Sequence, residues 1–515
     1  MPAARECRYE VLPIAALLLL GSSAFAHLMA LPAFEDEGSQ LRWVSRIIDA
    51  GEWLQPLGDG KPLEAWPLVP LVRLGSHPLI AARVLHVLAG MVGGVLIYQL
   101  ARQMTDRRTA FVTGVLFALC PFVVYLQRLA LSDIFMCVAG IWVLLSVIKF
   151  INRPDGRHSV VLAVSLVLVA FCKFPVGFFY LITMPLALLL MPSHERRGLL
   201  RPPALRNLLG AHAPAALLAA AVLVAALIRV RSGRSAGFGL QDLVGIGAGR
   251  YHDIAAAIGI ARPNLASELS TQLSWAVTAI GLVGLVAGAL LNDWRKRWLI
   301  MVGLLPMLCI GLLARFWFPR YLLFTIPPLI VAAVSGWRSL SLLAGRFRLP
   351  VQWGVLAVCV GFMGRQSALI ILDPLAAKWS PLDRFQYIEG AGAGYGYPEA
   401  AQFLLDATNA PVVIYSLDGH SAYQLLAYLP ASWTRRVKPI FYGPDGKELR
   451  SADARLECLA NHAPAWIIIN EGLLQHYLDS TFGRANIDQI NLGRIAIFDK
   501  PGSRARLAIY DVTRR

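Results

Sequence analysis

The chain has 515 residues, of which 57% are hydrophobic and 16% charged, with a mean hydropathy of +0.56. Its 48 Lys and Arg against 32 Asp and Glu leave a net charge of +16. A disordered chain is poorer in apolar residues, a soluble domain carries about 25% charged residues, and a nucleic-acid binder shares the charge but not the hydropathy, so a polytopic membrane protein remains.

A helix needs about 20 mainly apolar residues to cross a bilayer. In chain order, the runs near 11–33, 84–101, 110–126, 134–150, 159–172, 174–191, 212–230, 273–291, 298–314, 321–336 and 351–371 predict about eleven transmembrane helices. The first follows Arg5 and Arg8 and contains Ala24-Phe25-Ala26, as a cleaved signal peptide would. Its apolar run continues through Leu28, Met29, Leu31 and Phe34, which favours an uncleaved anchor.

The N-terminal tail and the loops 102–108, 149–158, 192–211, 292–297 and 337–350 together hold 18 Lys or Arg and six acids. Basic loops stay on the cytoplasmic side. The N-terminus is therefore expected in the cytoplasm, and an odd number of spans places the C-terminal segment outside. The seven cysteines form no CxxC and no zinc spacing, and most lie in apolar runs, where Cys is a small hydrophobe.

Two outer segments, 34–83 and 231–272, exceed what a connector needs. The tail 373–515 carries 15 basic and 15 acidic residues, an ordinary soluble balance. Apolar runs at Val412–Tyr415, Trp466–Ile469 and Ile495–Phe498 read as strands, and they alternate with helical stretches at Pro398–Asp406, Ser421–Leu429 and Ala452–Asn461. That alternation predicts a soluble α/β domain after a membrane domain spanning 1–372.

The charged residues with chemical potential lie on the expected outer side. Glu35-Asp36-Glu37 opens the first outer segment, followed by Leu41, Val44, Ile47 and Ile48 at helical spacing, an amphipathic helix suited to an interface. Lys61 and Glu64 follow within Gly60–Pro67. Arg128 and Asp133 flank the junction of the third and fourth spans, Lys173 separates two apolar runs, and Arg315, Arg320 and Tyr321 bracket an outer turn. Ionisable residues at membrane depth are costly and mark function by default. Each also has a plainer explanation: helix-end solvation for the acids, an Arg128–Asp133 ion pair, snorkelling of Lys173, and headgroup contacts for the arginines. Together they suit one outer cavity, in which cations bind a phosphate and a carboxylate takes a proton from a hydroxyl. No Walker A, GxGxxG or HExxH motif occurs, and the glycine-rich Gly390–Gly396 has the wrong spacing for a nucleotide.

These residues resemble a known family. The run Asp36-Glu37-Gly38 through Ala50-Gly51-Glu52-Trp53 is similar to the first outer loop of the protein O-mannosyltransferase and lipid A aminoarabinose transferase group of GT-C glycosyltransferases. Gly60-Lys61-Pro62-Leu63-Glu64-Ala65-Trp66-Pro67, Arg128-Leu129-Ala130-Leu131-Ser132-Asp133, Cys172-Lys173-Phe174-Pro175, Pro319-Arg320-Tyr321-Leu322-Leu323 and Gly394–Ala401 resemble its later motifs in the same order. The resemblance implies a membrane-embedded GT-C fold and transfer of a sugar from a polyprenyl-phosphate carrier to a lipid, envelope glycan or protein hydroxyl at the outer face, with inversion. It assigns Asp36 as the base. It makes Glu37, Lys61, Glu64, Arg128, Asp133, Lys173, Arg320 and Tyr321 the substrate-binding set, with the cations facing the phosphate. A divalent metal at Asp36 and Glu64 is compatible with it but not required. The expected location is a bacterial inner membrane, with the C-terminal domain in the periplasm. The family usually has Lys after the acid matched to Glu64, where this chain has Ala65. Either Lys61, three residues before Glu64, substitutes for it, or the donor sugar or the binding geometry is expected to differ. The rival reading is a transporter or flippase of lipid-linked sugars; such proteins commonly carry internal repeats, and this chain shows none.

Overall fold

The computed structural model describes residues 2–514 except 59, 75–76, 232–270, 272, 291–292, 314–317 and short stretches of the C-terminal part (408–411, 419, 431, 434–435, 442–448, 450, 462–463 and 503–504). The second outer segment, 231–272, and Arg315 thus lie almost wholly outside the described residues. The chain divides into two compact units.

The first unit comprises 1–28, 53–68 and 82–382 and is helical. Among the described residues, five helices are long and apolar enough to cross a membrane: Pro78–Arg102, Ser132–Asn152, Pro202–Ala225, Pro319–Leu343 and Gly345–Leu372. The chain is a multi-pass membrane protein. Of the other expected spans, the one near 298–314 falls on the 20-residue helix Trp294–Leu313, and the rest fall on shorter or broken helices. The expected third span bends by 56° between Arg107–Ala118 and Pro121–Gln127. Pro121 is the cause: it lacks an N–H and pushes Cys120 into an extended conformation (φ −64°, ψ 120°). The first span is shorter than expected, because the helix ends at Ser22, a 3₁₀ turn covers Ser23–Phe25, and His27 takes a left-handed φ of 48°. Near Lys173 the Gly156–Cys172 helix stops and restarts at Phe174, where Pro175 forbids continuation. Ser132–Asn152 is central, with 72% of its apolar window buried within the protein.

The second unit joins 29–52, 69–81 and 383–515. Its core is a five-stranded sheet of β1 (Val413–Ser416), β2 (Val437–Pro439), β3 (Ala465–Asn470), β4 (Ile490–Asp499) and β5 (Arg506–Arg514), in the order β2-β1-β3-β5-β4. β2, β1 and β3 run parallel, while β5 and β4 are antiparallel. The run Ile467-Ile468-Ile469 makes β3 apolar on both faces, as a strand covered on each side requires. One face packs on Tyr397, Leu404 and Leu425, the other on Leu459, Leu478 and Phe482. The same unit holds the amphipathic helix Glu35–Ala50, whose apolar side, Leu41, Val44 and Ile47, is buried as its spacing predicts.

Candidate active site

Asp36 occupies the first turn of Glu35–Ala50, half-buried. Three acids in that turn favour the helix, since unpaired N–H groups and the positive dipole end attract negative charge. Glu37 is fully buried and turns inward, accepting the Phe34 N–H at 2.9 Å, one half of a capping box. The backbone leading to Asp36 is held residue by residue. Ala33 donates to the Tyr428 hydroxyl at 2.5 Å, and its carbonyl accepts from Gln424 at 2.9 Å. The Glu35 N–H donates to the Gly392 carbonyl at 3.2 Å. The glycine-rich segment explains itself here: a Cβ on Gly394 would lie 2.3 Å from the Ala33 carbonyl oxygen, and one on Gly392 2.8 Å from the Glu35 carboxylate. At 394 only glycine lets the two backbones approach so closely.

Within the membrane unit a second group gathers at the start of Ser132–Asn152. Glu64, fully buried, accepts the Ser132 N–H at 2.7 Å through Oε1 and lies 3.8 Å from the Lys61 ammonium through Oε2. A carboxylate at a helix N-terminus satisfies an orphan donor and complements the dipole. Asp133, in the same first turn, receives the Lys173 ammonium at 3.3 Å. Lys173 also stands 3.9 Å from the centre of the Tyr321 ring, a cation–π contact. Arg320, 6% exposed, stacks on Phe318 and Tyr321 at 4.9 and 5.5 Å. Lys61, Glu64, Asp133, Lys173, Arg320 and Tyr321 thus form a continuous set. It is fastened by Gly60, whose carbonyl accepts the Phe174 N–H at 2.9 Å.

Arg128 faces elsewhere. It is buried, and its guanidinium donates to the carbonyls of Ala24, Ala26 and His27 at 2.7, 2.5 and 2.6 Å, tying down the chain where the first helix ends. Among the described residues no group of three or more His, Cys, Asp or Glu is arranged to hold a metal ion. A cavity of about 740 Å³ lies among apolar residues such as Val277, Leu304, Ile330 and Leu356, and none of the candidate residues lines it.

Sequence reasoning missed the supports of Asp36. Lys500, Gln424 and Asn470 are all buried and donate to backbone carbonyls of 33 and 390–393. Gln424 and Asn470 adjoin apolar runs, a signal that could have marked them, whereas Lys500, between Asp499 and Pro501, carries none.

A helical membrane unit with clustered cations and acids at a helix start is thus joined in one chain to a unit with a five-stranded sheet. The family model "Dolichyl-phosphate-mannose-protein mannosyltransferase" matches residues 59–229. ArnT from Cupriavidus metallidurans in the apo state is similar over 98% of both chains, with 13% identity and a TM-score of 0.60. The same protein bound to undecaprenyl phosphate gives 15% identity and a TM-score of 0.57 over 98% of this chain and 97% of that one. The archaeal oligosaccharyltransferase AglB from Archaeoglobus fulgidus, in complex with an inhibitory peptide and a dolichol-phosphate, gives 9% and 0.55 over 98% of this chain and 74% of that one. No curated protein matches by sequence. These likenesses bear out the resemblance to the GT-C glycosyltransferases.

Proposed function

We propose that this protein is a glycosyltransferase that moves a sugar from a polyprenyl-phosphate carrier to an acceptor hydroxyl on a lipid, envelope glycan or protein at the outer face of a bacterial inner membrane. The observation that carries it is the set Lys61–Glu64–Asp133–Lys173–Arg320 in a fold shared with ArnT, which binds undecaprenyl phosphate. In this reading Asp36 accepts the proton of the acceptor hydroxyl as its oxygen attacks the anomeric carbon. The bond from that carbon to the carrier phosphate breaks, its electron pair stays on the phosphate, and the configuration inverts. Lys61, Lys173 and Arg320 meet the charge developing on the leaving phosphate. Glu64 and Asp133 hold those cations in place, Tyr321 packs on Lys173, and Glu37 braces the turn carrying Asp36. Arg128 serves as an anchor, because both of its terminal guanidinium nitrogens donate to carbonyls.

In this reading the membrane catalytic domain lies within 1–372 and the outer domain within 373–515, except that 29–52, which carries Asp36, and 69–81 belong to the same compact unit as 383–515; the N-terminus is cytoplasmic. The basic loops support this orientation. Ala65, where the family usually has Lys, supports a donor sugar other than aminoarabinose.

The test uses the full chain in liposomes with undecaprenyl-phosphate mannose and undecaprenyl-phosphate aminoarabinose as donors and envelope extract as acceptor, following release of undecaprenyl phosphate. Wild type releases it and Asp36→Asn does not, while both bind undecaprenyl phosphate equally. Donor flipping without release in wild type would overturn the reading in favour of a flippase.

A further inference from the structure

Lys500 follows the last residue of β4 and is only 2% exposed. A buried ammonium is expensive unless its donors are matched. Here all three are: they reach the carbonyls of Gly390, Ala391 and Ala393 at 3.2, 2.9 and 2.6 Å. The Asn470 amide adds a second donor to the Ala391 carbonyl at 3.0 Å, and Gln424 bridges the Gly392 and Ala33 carbonyls, 2.9 Å from each. Four consecutive carbonyls therefore turn onto buried side chains of the α/β unit. One of them, that of Gly392, also receives the Glu35 N–H, the amide next to Asp36. The Ala393 N–H closes this turn locally on the Gly390 carbonyl at 3.1 Å, and the Lys500 ammonium gathers the carbonyls that the local bond leaves facing inward. The charged groups acting on Lys500 are Glu35, at the start of the Glu35–Ala50 helix, and Asp418, after β1, with the Tyr397 ring 5.4 Å away.

We propose that Lys500 is a positioning residue for Asp36: by gathering the carbonyls of residues 390–393 it places the Gly392 carbonyl that fixes the first turn of the Glu35–Ala50 helix. The inference rests on the reading of Asp36 as the base. In the liposome assay with the same two donors, Lys500→Met is expected to lower kcat at least tenfold while leaving the donor KM within twofold. A general loss of structure would move both. In the full chain, hydrogen–deuterium exchange at amides 34–38 is expected to accelerate at least tenfold, with the membrane helices unchanged. A kcat within twofold of wild type, or unaltered exchange at 34–38, overturns the proposal. If Lys500→Met does not accumulate, Asn470→Ala removes one tether to Ala391. It should lower kcat about threefold at constant KM, and an unchanged kcat there overturns the proposal equally. Should Asp36→Asn retain transfer, the assignment of the base fails, while exchange at 34–38 still decides whether Lys500 holds the turn.

Discussion

Replacing Lys173 by Met separates its two possible duties. Its ammonium pairs with Asp133 at 3.3 Å, with the two side chains 14% and 8% exposed. Removing one partner of a buried pair typically costs 3–5 kcal/mol, because the other charge is left uncompensated. This pair retains some solvent, so about 2–3 kcal/mol is expected, a marked drop in thermal midpoint for the detergent-purified chain. If Lys173 also meets charge on the departing phosphate, a further loss of about 3 kcal/mol of transition-state stabilisation lowers kcat about 10²-fold. The double variant Lys173→Met/Asp133→Asn distinguishes the two. Neutralising Asp133 removes the stranded charge, so the thermal midpoint should recover most of its loss while undecaprenyl phosphate release stays about 10²-fold down. Recovery of release to within threefold of wild type in the double variant would refute a role in catalysis and leave Lys173 as the structural partner of Asp133.

Arg128→Met deserts three carbonyls at once and should destabilise the chain by about 3–5 kcal/mol with little change in undecaprenyl phosphate affinity, measured by thermal unfolding and lipid binding. Gly394→Ala forces a methyl to within 2.3 Å of the Ala33 carbonyl oxygen, which must shift. A cost of about 1–3 kcal/mol and faster exchange at 33–36 are expected. Burial pulls the Lys500 pKa down to about 7, against the opposing influence of Glu35 and Asp418. Between pH 7 and its ordinary value near 10.4, the unfolded chain then binds the extra proton, so stability should rise with pH across that window and be flat below it. The wild-type slope in thermal midpoint from pH 7 to 9 should exceed that of Lys500→Met, and equal slopes would contradict the burial of its charge.

Much of the framework was legible along the chain. Hydropathy runs marked the helices because a span must satisfy its backbone within itself, and apolar length is therefore local information. β1, β3 and β4 and the helices between them appeared where alternating apolar runs said they should. β2 and β5 did not: β2 has three residues, and Leu507-Ala508-Ile509-Tyr510 is followed by charge that masks its pattern. The run 110–126 read as one continuous span, and only the structure showed the 56° bend at Pro121.

The candidate residues divide the same way. Asp133, Lys173 and Arg320 stood out because charge beside apolar runs is costly and needs a reason, and Asp36, Lys61 and Glu64 because the first outer segment resembles a family motif. What each charge faces was undetermined, because partners come from other segments. Arg128 and Lys173 look alike in sequence, yet one is surrounded by carbonyls and the other by a carboxylate and an aromatic ring. Gln424 and Ala33 are 391 residues apart, and Lys500 lies 107–110 residues from the carbonyls it binds. Composition and periodicity alone determined that this is a helical membrane protein with an α/β segment, since burial of apolar surface follows from each residue and its near neighbours. The tertiary structure decided which polar groups are spent on holding the backbone and which remain for chemistry, because a hydrogen bond between distant segments exists only once the fold has brought them together.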